Sequence, residues 1–434
     1  MHVYVLNMHG TPLMPCSPRK ARILLKTGKA KVTCRTPFTI QLRYGSSGYK
    51  QPITLGVDAG SKHVGLSACT ETGELFCAEL QPRDDVVNNL STRREFRRSR
   101  RNRKKRYRPA RFDNRVHSKH KGWLAPSVEV KIHNHIQGIK LVLGILPVSK
   151  IIVETAEFDT QRLKATLNGK PLPVGTDYQL GEQYDAYNVR QYVLHRDGYT
   201  CQCCGAHLTA KKLVKLHVHH IESRKVGGNA PNNLITLCDK CHKALHLGLI
   251  HLPEGKKRKR RYLRDAAFMG IMRKAFVQQL RTMVSIRVME THGYITKLVR
   301  EKYGIVKTHT SDARCIAGCP TAKVSDAQFL LKPVRRHNRQ IHKATILRDG
   351  YRKANQAPKY VFGFQLFDKV LCAGQECFIY GRRSSGSFAL CRLDGRQISA
   401  GITYRKIRLL ESRKSLLIER GKRLLPRKNR RGSG

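Results

Sequence analysis

The chain is short of acid. Asp and Glu number 30 against 84 Lys and Arg in 434 residues, a formal charge of +54. A fold so one-sided repels itself unless a polyanion neutralises it. Nucleic acid, with one charge per phosphate, is the polyanion this points to. Long apolar runs are missing, and so is any basic amphipathic stretch with a broad apolar face, so no membrane partner is expected. The opening "MHVYVLNMHG" lacks the charged-then-apolar pattern of a secretory signal. A disulfide framework is missing too. Of the 14 cysteines, five cluster at 201–241 in metal-ligand spacing and the rest are scattered in apolar contexts. A reducing, cytoplasmic setting is therefore expected. The sequence contains no internal repeat.

What is present divides by composition. "VYVLN" reads as a strand, and Ser17-Pro18 opens a helix, "PRKARILLKTGKA", with Ser as N-cap and Pro at the first helical position. "KVTCRTPFTIQLR" adds a strand pair, closing a small basic module near residue 50. "ITLGVDAG", "HVGLSAC" and "ELFCAEL" follow, separated by turn residues, and predict an antiparallel meander. Residues 93–111 then carry twelve basic residues in nineteen. Such a run reads either as a solvated tail or as a helix lying between phosphate backbones. Phe96, Tyr107 and the absence of Pro before Pro109 favour the helix. "VEVKIHNHIQGIKLVLGILP" predicts an amphipathic helix and "SKIIVETAEF" a buried strand ending in acid. "KKRKRR" (256–261) reads as a hinge or, less simply, an import signal. The 335–434 segment is basic and β-rich, with a hairpin turn at Asp394-Gly395.

Between 185 and 250 lie two Cys-x-x-Cys knuckles, Cys201/Cys204 and Cys238/Cys241, with Cys203 left over. Four thiolates in two such pairs suit tetrahedral zinc, and a filled site of this kind is structural. The histidines are not explained by it. In the strand-like "VHHI", His219 and His220 point to opposite sides. His242 and His246, four apart in the helical "DKCHKALH", share one face. Asn233 is placed to orient a neighbouring imidazole. The order His-His, Gly-Gly, Asn-Leu, Cys-x-x-Cys-His resembles the HNH, or ββα-metal, nucleases. By that resemblance His220 is the general base, and His219 and His242 hold one divalent cation with His246 as third ligand. Many members have Asp at the position of His219, and three imidazoles suit softer ions than Mg²⁺.

Asp58 stands inside an apolar strand, followed by Ala59-Gly60, small neighbours that would let a phosphate backbone approach. A carboxylate there is costly unless it binds metal. Glu154 ends "IIVE", and His309 and Asp312 lie on one helical face of "KTHTSDARCIAG". Three acids and a histidine from distant segments meet the needs of two-metal phosphodiester hydrolysis. In this order they resemble the RuvC-type RNase H fold, split in three, with the HNH module inserted before the third segment. "TPLMPCSPRKARILLKTGKAKV", "RRHNRQIHK" and "GRRSSGSFAL" add further likeness, and the whole chain resembles the IscB family of transposon-encoded, RNA-guided nucleases.

The resemblance implies an α/β multidomain fold. Its parts are a Pro-Leu-Met-Pro module (1–50), RuvC segments (51–90, 116–165, 262–325), an arginine-rich bridge helix (91–115), HNH (180–250) and a β-rich C-terminal domain (335–434) that meets a target-adjacent motif. It implies a monomeric ribonucleoprotein whose noncoding omega RNA guides cleavage of double-stranded DNA. HNH would cut the guide-paired strand and RuvC the displaced one. Two Mg²⁺ would sit in RuvC at Asp58, Glu154 and Asp312, with one divalent cation in HNH and one structural Zn²⁺. The expected nucleic-acid contacts are Arg93, Arg94, Arg97, Arg98, Arg100, Arg101, Arg103, Lys104, Lys105, Arg106, Arg335, Arg336, Arg382 and Arg383. Two other readings fit less: a guide-independent structure-selective endonuclease, which leaves the terminal basic modules unexplained, and a non-catalytic zinc-ribbon RNA-binding protein, which leaves the acids and histidines unexplained.

Overall fold

A computed structural model describes residues 2–102, 122–155, 189–207, 214–222, 233–252, 264–335, 347–351 and 358–422. The chain is mixed α/β in two compact units, Met1–Thr160 with Phe268–Gly434, and Gln161–Ala267. No helix among the described residues is long and apolar enough to cross a membrane.

The chain begins with β1 (Val3–Leu6), β2 (Pro12–Cys16), α1 (Pro18–Lys26), β3 (Ala30–Cys34) and β4 (Thr39–Leu42), in sheet order β2-β1-β4-β3. Ser17 caps α1 as expected, its Oγ accepting from the Lys20 amide. The helix stops at Lys26 because Gly28 turns left-handed, φ +68°. The Pro-Leu-Met-Pro stretch is itself strand β2. It holds the sheet edge, where a proline's missing N–H does little harm.

Strands β5 (Thr54–Ala59), β6 (Val64–Cys69) and β7 (Glu74–Leu80) form the expected antiparallel meander. Helix α2 (Val86–Asn102) starts upstream of the arginine run and enters it; residues 103–121 lie outside the described ones. Helix α3 (Pro126–Leu143) is buried deeply, with Ile132, His135, Ile136, Ile139 and Val142 all inside. Strand β8 (Lys150–Glu154) then runs parallel to β5.

The second unit is small. Helix α4 (Val189–Arg196) precedes the hairpin of β9 (Leu216–His220) and β10 (Leu234–Cys238), and α5 (Asp239–His246) follows directly. Cys201, Ile235, Leu237 and Cys238 make its core. Asp197 ties it together, pairing with Arg196 and accepting from the Thr236 amide. The run at 256–261 lies outside the described residues.

After α6 (Arg264–Met283) come β11 (Arg287–Thr291), α7 (Gly293–Lys302), α8 (His309–Ile316) and β12 (Ala327–Pro333). The last strands are β13 (Lys369–Cys372), β14 (Gln375–Arg382), β15 (Ser387–Cys391), β16 (Gln397–Thr403), β17 (Ile407–Glu411) and β18 (Leu416–Lys422). Five of them form an antiparallel sheet, β16-β15-β14-β13-β17, with the β15–β16 turn at Asp394-Gly395. Strand β18 leaves this group and pairs with β12, completing a seven-stranded sheet, β11-β8-β5-β6-β7-β12-β18.

The large sheet buries one face under α3 and α6. Leu55, Val57, Leu66 and Val153 meet Ile132, Ile139, Met272 and Phe276 there. Gly56 and Asp58, two apart, face the other way. On that face α8 lies against the strands, and two glycines permit it. A Cβ on Gly56 would stand 2.7 Å from the Ala317 amide nitrogen and collide with the Ala313 carbonyl. A Cβ on Gly65, which pairs with Asp58, would collide with the His309 carbonyl.

Candidate active sites

The acid site forms at the carboxyl ends of the parallel strands β5 and β8, a usual place for ligands in such sheets. Asp58 and Glu154 are register partners on those neighbouring strands. The close approach of α8 to Gly65 brings its first turn beside Asp58, and His309 Nδ1 lies 2.7 Å from Asp58 Oδ2. Thr308 caps that helix with a capping box through Ser311, fixing where His309 and Asp312 start. Thus Asp58, Glu154, His309 and Asp312, from segments far apart in sequence, are brought to one end of one sheet.

Glu154 is held from α7. Thr296 Oγ1 donates to its Oε2 at 2.6 Å, and a Cβ on Gly293 would stand 3.0 Å from its Oε1. Arg300, one turn further along the same face of α7, lies 3.1 Å from Asp312. That contact has no hydrogen-bond geometry, and the buried Asp312 Oδ1 has no hydrogen-bond partner. Burial raises the pKa of Glu154, and the charges of Asp58 and Asp312 add to the rise against the Thr296 hydrogen bond. Burial likewise raises Asp312, with Asp58 adding to it and Arg300 opposing. The hydrogen bond to Asp58 raises His309. Half-buried carboxylates that repel one another fit a divalent-cation site.

Sequence reasoning missed several members of this site. His63 stacks on His309, ring centroids 5.2 Å apart and 9° from parallel, and its Nδ1 lies 2.7 Å from Glu79 Oε1. His63 is only five residues past Asp58, a proximity that could have flagged it. Thr296, Gly293 and Arg300 carried no sequence signal. A Cβ on Gly60 would collide with the carbonyl of His63, so the tight loop after Asp58 requires this glycine.

The histidine site is local. Rings of His219 on β9 and His242 and His246 on α5 lie 4.6–5.2 Å apart, and one ligand atom from each falls within 4.8 Å of the others. His242 Nε2 and His246 Nε2 are 3.3 Å apart. Burial, then the neighbouring imidazoles, lower the pKa of His219 and His242. Neutral imidazoles with converging nitrogens are what a metal requires. His220, next along β9, points to the opposite side of the strand, where its register partner is Leu234. His217 was missed, although it shares a strand face with His219. It stacks on His242 at 4.8 Å and 12°, with its Nε2 3.0 Å from Asp239 Oδ1. Asn233 grips the Glu222 backbone with both ends of its amide.

Beside it, Cys201, Cys204, Cys238 and Cys241 bring their sulfurs within 4.8 Å of one another, while Cys203 packs against the same small core without joining the four. Burial opposes the Cys201 thiolate. The amides of Cys204, Cys238 and Cys203 outweigh it and bring the pKa down to about 7. Four sulfurs so arranged fit tetrahedral zinc.

The expected nucleic-acid contacts are scattered. Arg93, Arg94 and Arg98 are exposed on α2 and Arg97 is half-buried; Arg100 and Arg101 belong to the same helix. Arg103, Lys104, Lys105, Arg106 and Arg336 lie outside the described residues. The Arg335 carbonyl accepts from Arg413. The Arg382 guanidinium donates to the carbonyls of Lys359, Phe364 and Pro358, pinning the loop before β13. Arg383 is exposed, and its guanidinium lies within reach of Ser387 Oγ and the Ala400 carbonyl.

Residues 3–179 match the family described as RRXRR protein, and residues 201–247 match the family described as HNH endonuclease. No curated protein matches the chain. Similar solved structures include Streptococcus thermophilus Cas9 in complex with the GGAA PAM, at 14% identity and TM-score 0.31, covering 51% of this chain and 30% of that one. Another is the Type II-C Cas9 enzyme from Actinomyces naeslundii, at 12% identity and TM-score 0.23, covering 62% and 60%. The chain therefore spans under two thirds of the length of either. It carries an HNH endonuclease segment, and that segment coincides with the cysteine and histidine clusters.

Proposed function

We propose that this chain is an RNA-guided DNA endonuclease of the IscB type, with two phosphodiesterase sites. The observation that carries the reading is the meeting of Asp58, Glu154, His309 and Asp312, from three distant segments, in a chain that also holds an HNH segment.

At the acid site Asp58, Glu154 and Asp312 would hold two Mg²⁺, which supply an activated water and stabilise the leaving oxygen. The rest is done by the chain. Thr296 and the bare Cα of Gly293 fix Glu154. Because His309 Nδ1 is committed to Asp58, its Nε2 is the atom left to move a proton. The His63 stack, itself held by Glu79, keeps that ring in plane. This site would cut the displaced strand.

At the histidine site His219, His242 and His246 would hold one divalent cation, which polarises the scissile phosphate and stabilises the departing oxygen. His220 would take the proton from the attacking water. His217 and Asp239 set the plane of His242. The four cysteines would hold structural zinc. This site would cut the guide-paired strand. The charge of +54 suits a protein that wraps an RNA larger than its own binding clefts.

The test is the RNA. Protein purified from cells carrying its own locus, then sequenced for bound RNA, should yield one discrete noncoding species. Protein that cuts branched DNA while carrying no RNA would establish the guide-independent alternative.

A further inference from the structure

The basic C-terminal sheet carries an aromatic ledge that neither nuclease site uses. Phe362 and Gly363 are the two central residues of a tight turn closed by reciprocal backbone hydrogen bonds between Val361 and Phe364. Both have positive φ, +48° and +82°. A turn of this kind favours Asn, Asp or Gly at its first central position, because a large side chain there strains the backbone. Phe is an unfavourable choice for that corner, and it is not hidden: Phe362 is 51% exposed. One face of its ring lies flat on Tyr404, centroids 4.1 Å apart and 7° from parallel.

Gly386 makes the floor of this stack. Its φ is +81°, and a Cβ would stand 2.7 Å from the Tyr404 ring and 2.8 Å from the Phe362 ring. Cations border it. The Arg405 guanidinium lies 5.9 Å from the Tyr404 ring centre, and the backbone carbonyl of exposed Arg383 accepts from the Gly386 amide. Tyr360, half exposed, sits under Lys359 at 4.8 Å. From Gly381 to Arg408 the chain has seven basic residues and one acid, Asp394. The ledge is thus an exposed aromatic face, held at a cost in backbone strain, and bordered by cations. Strain kept at an exposed side chain points to use rather than packing.

The geometry points to Phe362, backed by Tyr404, as a stacking platform for an unpaired nucleobase of RNA, with Arg383 and Arg405 placed for its flanking phosphates. A base offers a π-face to the ring and a phosphate on either side to the cations. RNA is the fitting source, because its loops and bulges present unstacked bases to aromatic side chains; the displaced DNA strand is the competing source, which oligothymidine tests. The platform does not depend on either nuclease site.

The turn chemistry supplies a clean test. Phe362→Asn places a preferred residue at the strained corner, so folding stability should hold or rise while the platform is lost. In the full-length protein, photo-crosslinking with a 20-nucleotide oligouridine should label a peptide containing Phe362, and labelling there should fall about tenfold with Phe362→Asn at unchanged thermal midpoint. A second variant reads stacking directly: Trp123→Phe with Phe362→Trp leaves one indole, at the ledge. Oligouridine should quench its emission, and heparin, a polyanion without bases, should not. Equal response to heparin, or crosslinks only elsewhere, would overturn the platform. Equal quenching by oligothymidine would overturn the assignment to RNA.

Discussion

The two candidate sites are built in opposite ways. His219, His242 and His246 come from one hairpin and the helix that follows it, and four cysteines stitch the same short stretch. Asp58, Glu154 and Asp312 come from β5, β8 and α8, and they meet only because a seven-stranded sheet orders β5 beside β8 and two glycines admit α8. The first site has little core beneath it and needs its own staple. The second rests on the main hydrophobic core and is aligned by residues outside the acid cluster, such as Thr296 and Gly56. A local site fails by losing its staple, while a dispersed site fails by losing the packing that aligns its strands and helix.

That contrast breaks most sharply at the cysteines. Cys238→Ser should release the zinc and unfold the histidine module, since structural zinc contributes roughly 10 kcal/mol to domains of this size. Metal analysis should fall from about one zinc equivalent to none, and cutting of the guide-paired strand should vanish while the displaced strand is still nicked. Retained zinc would break the assignment.

The packing side of the contrast is tested by Gly56→Ala. The new methyl meets the α8 backbone at Ala313 and Ala317, and should cost about 1–3 kcal/mol of stability. It should selectively slow the displaced-strand nick, because His309 and Asp312 ride on that helix. A thermal midpoint equal to wild type would show that α8 is not seated there.

The smallest expected effect is at His63. Losing its stack on His309 with His63→Ala should slow the same nick about three- to tenfold, the size of one ring contact. His63→Phe should restore most of the rate, since it keeps a flat ring. Failure of Phe to restore it would assign the loss to Glu79 pairing instead.

What the sequence makes legible follows the same division. The Cys-x-x-Cys pairs and His242/His246 announce themselves because their spacing is set by a knuckle and a helical turn. Asp58 and Glu154 stand out as carboxylates in apolar strands. The edge strand Pro12–Cys16, the return of β18 to β12, and the roles of Gly56, Gly65 and Thr296 are silent in the sequence, because each depends on a partner far along the chain. Arg382 shows the same limit: its bonds to three carbonyls of the loop before β13 join positions the sequence does not visibly link.

The most direct test of two independent sites is a strand-resolved cleavage assay on a plasmid bearing a guide-matched target, with the protein carrying its RNA and Mg²⁺ present. Asp58→Ala should reduce nicking of the displaced strand by about 10³-fold and spare the guide-paired strand, and His220→Ala should do the reverse. The double variant should cut neither. Loss of both strands on either single substitution would contradict the account.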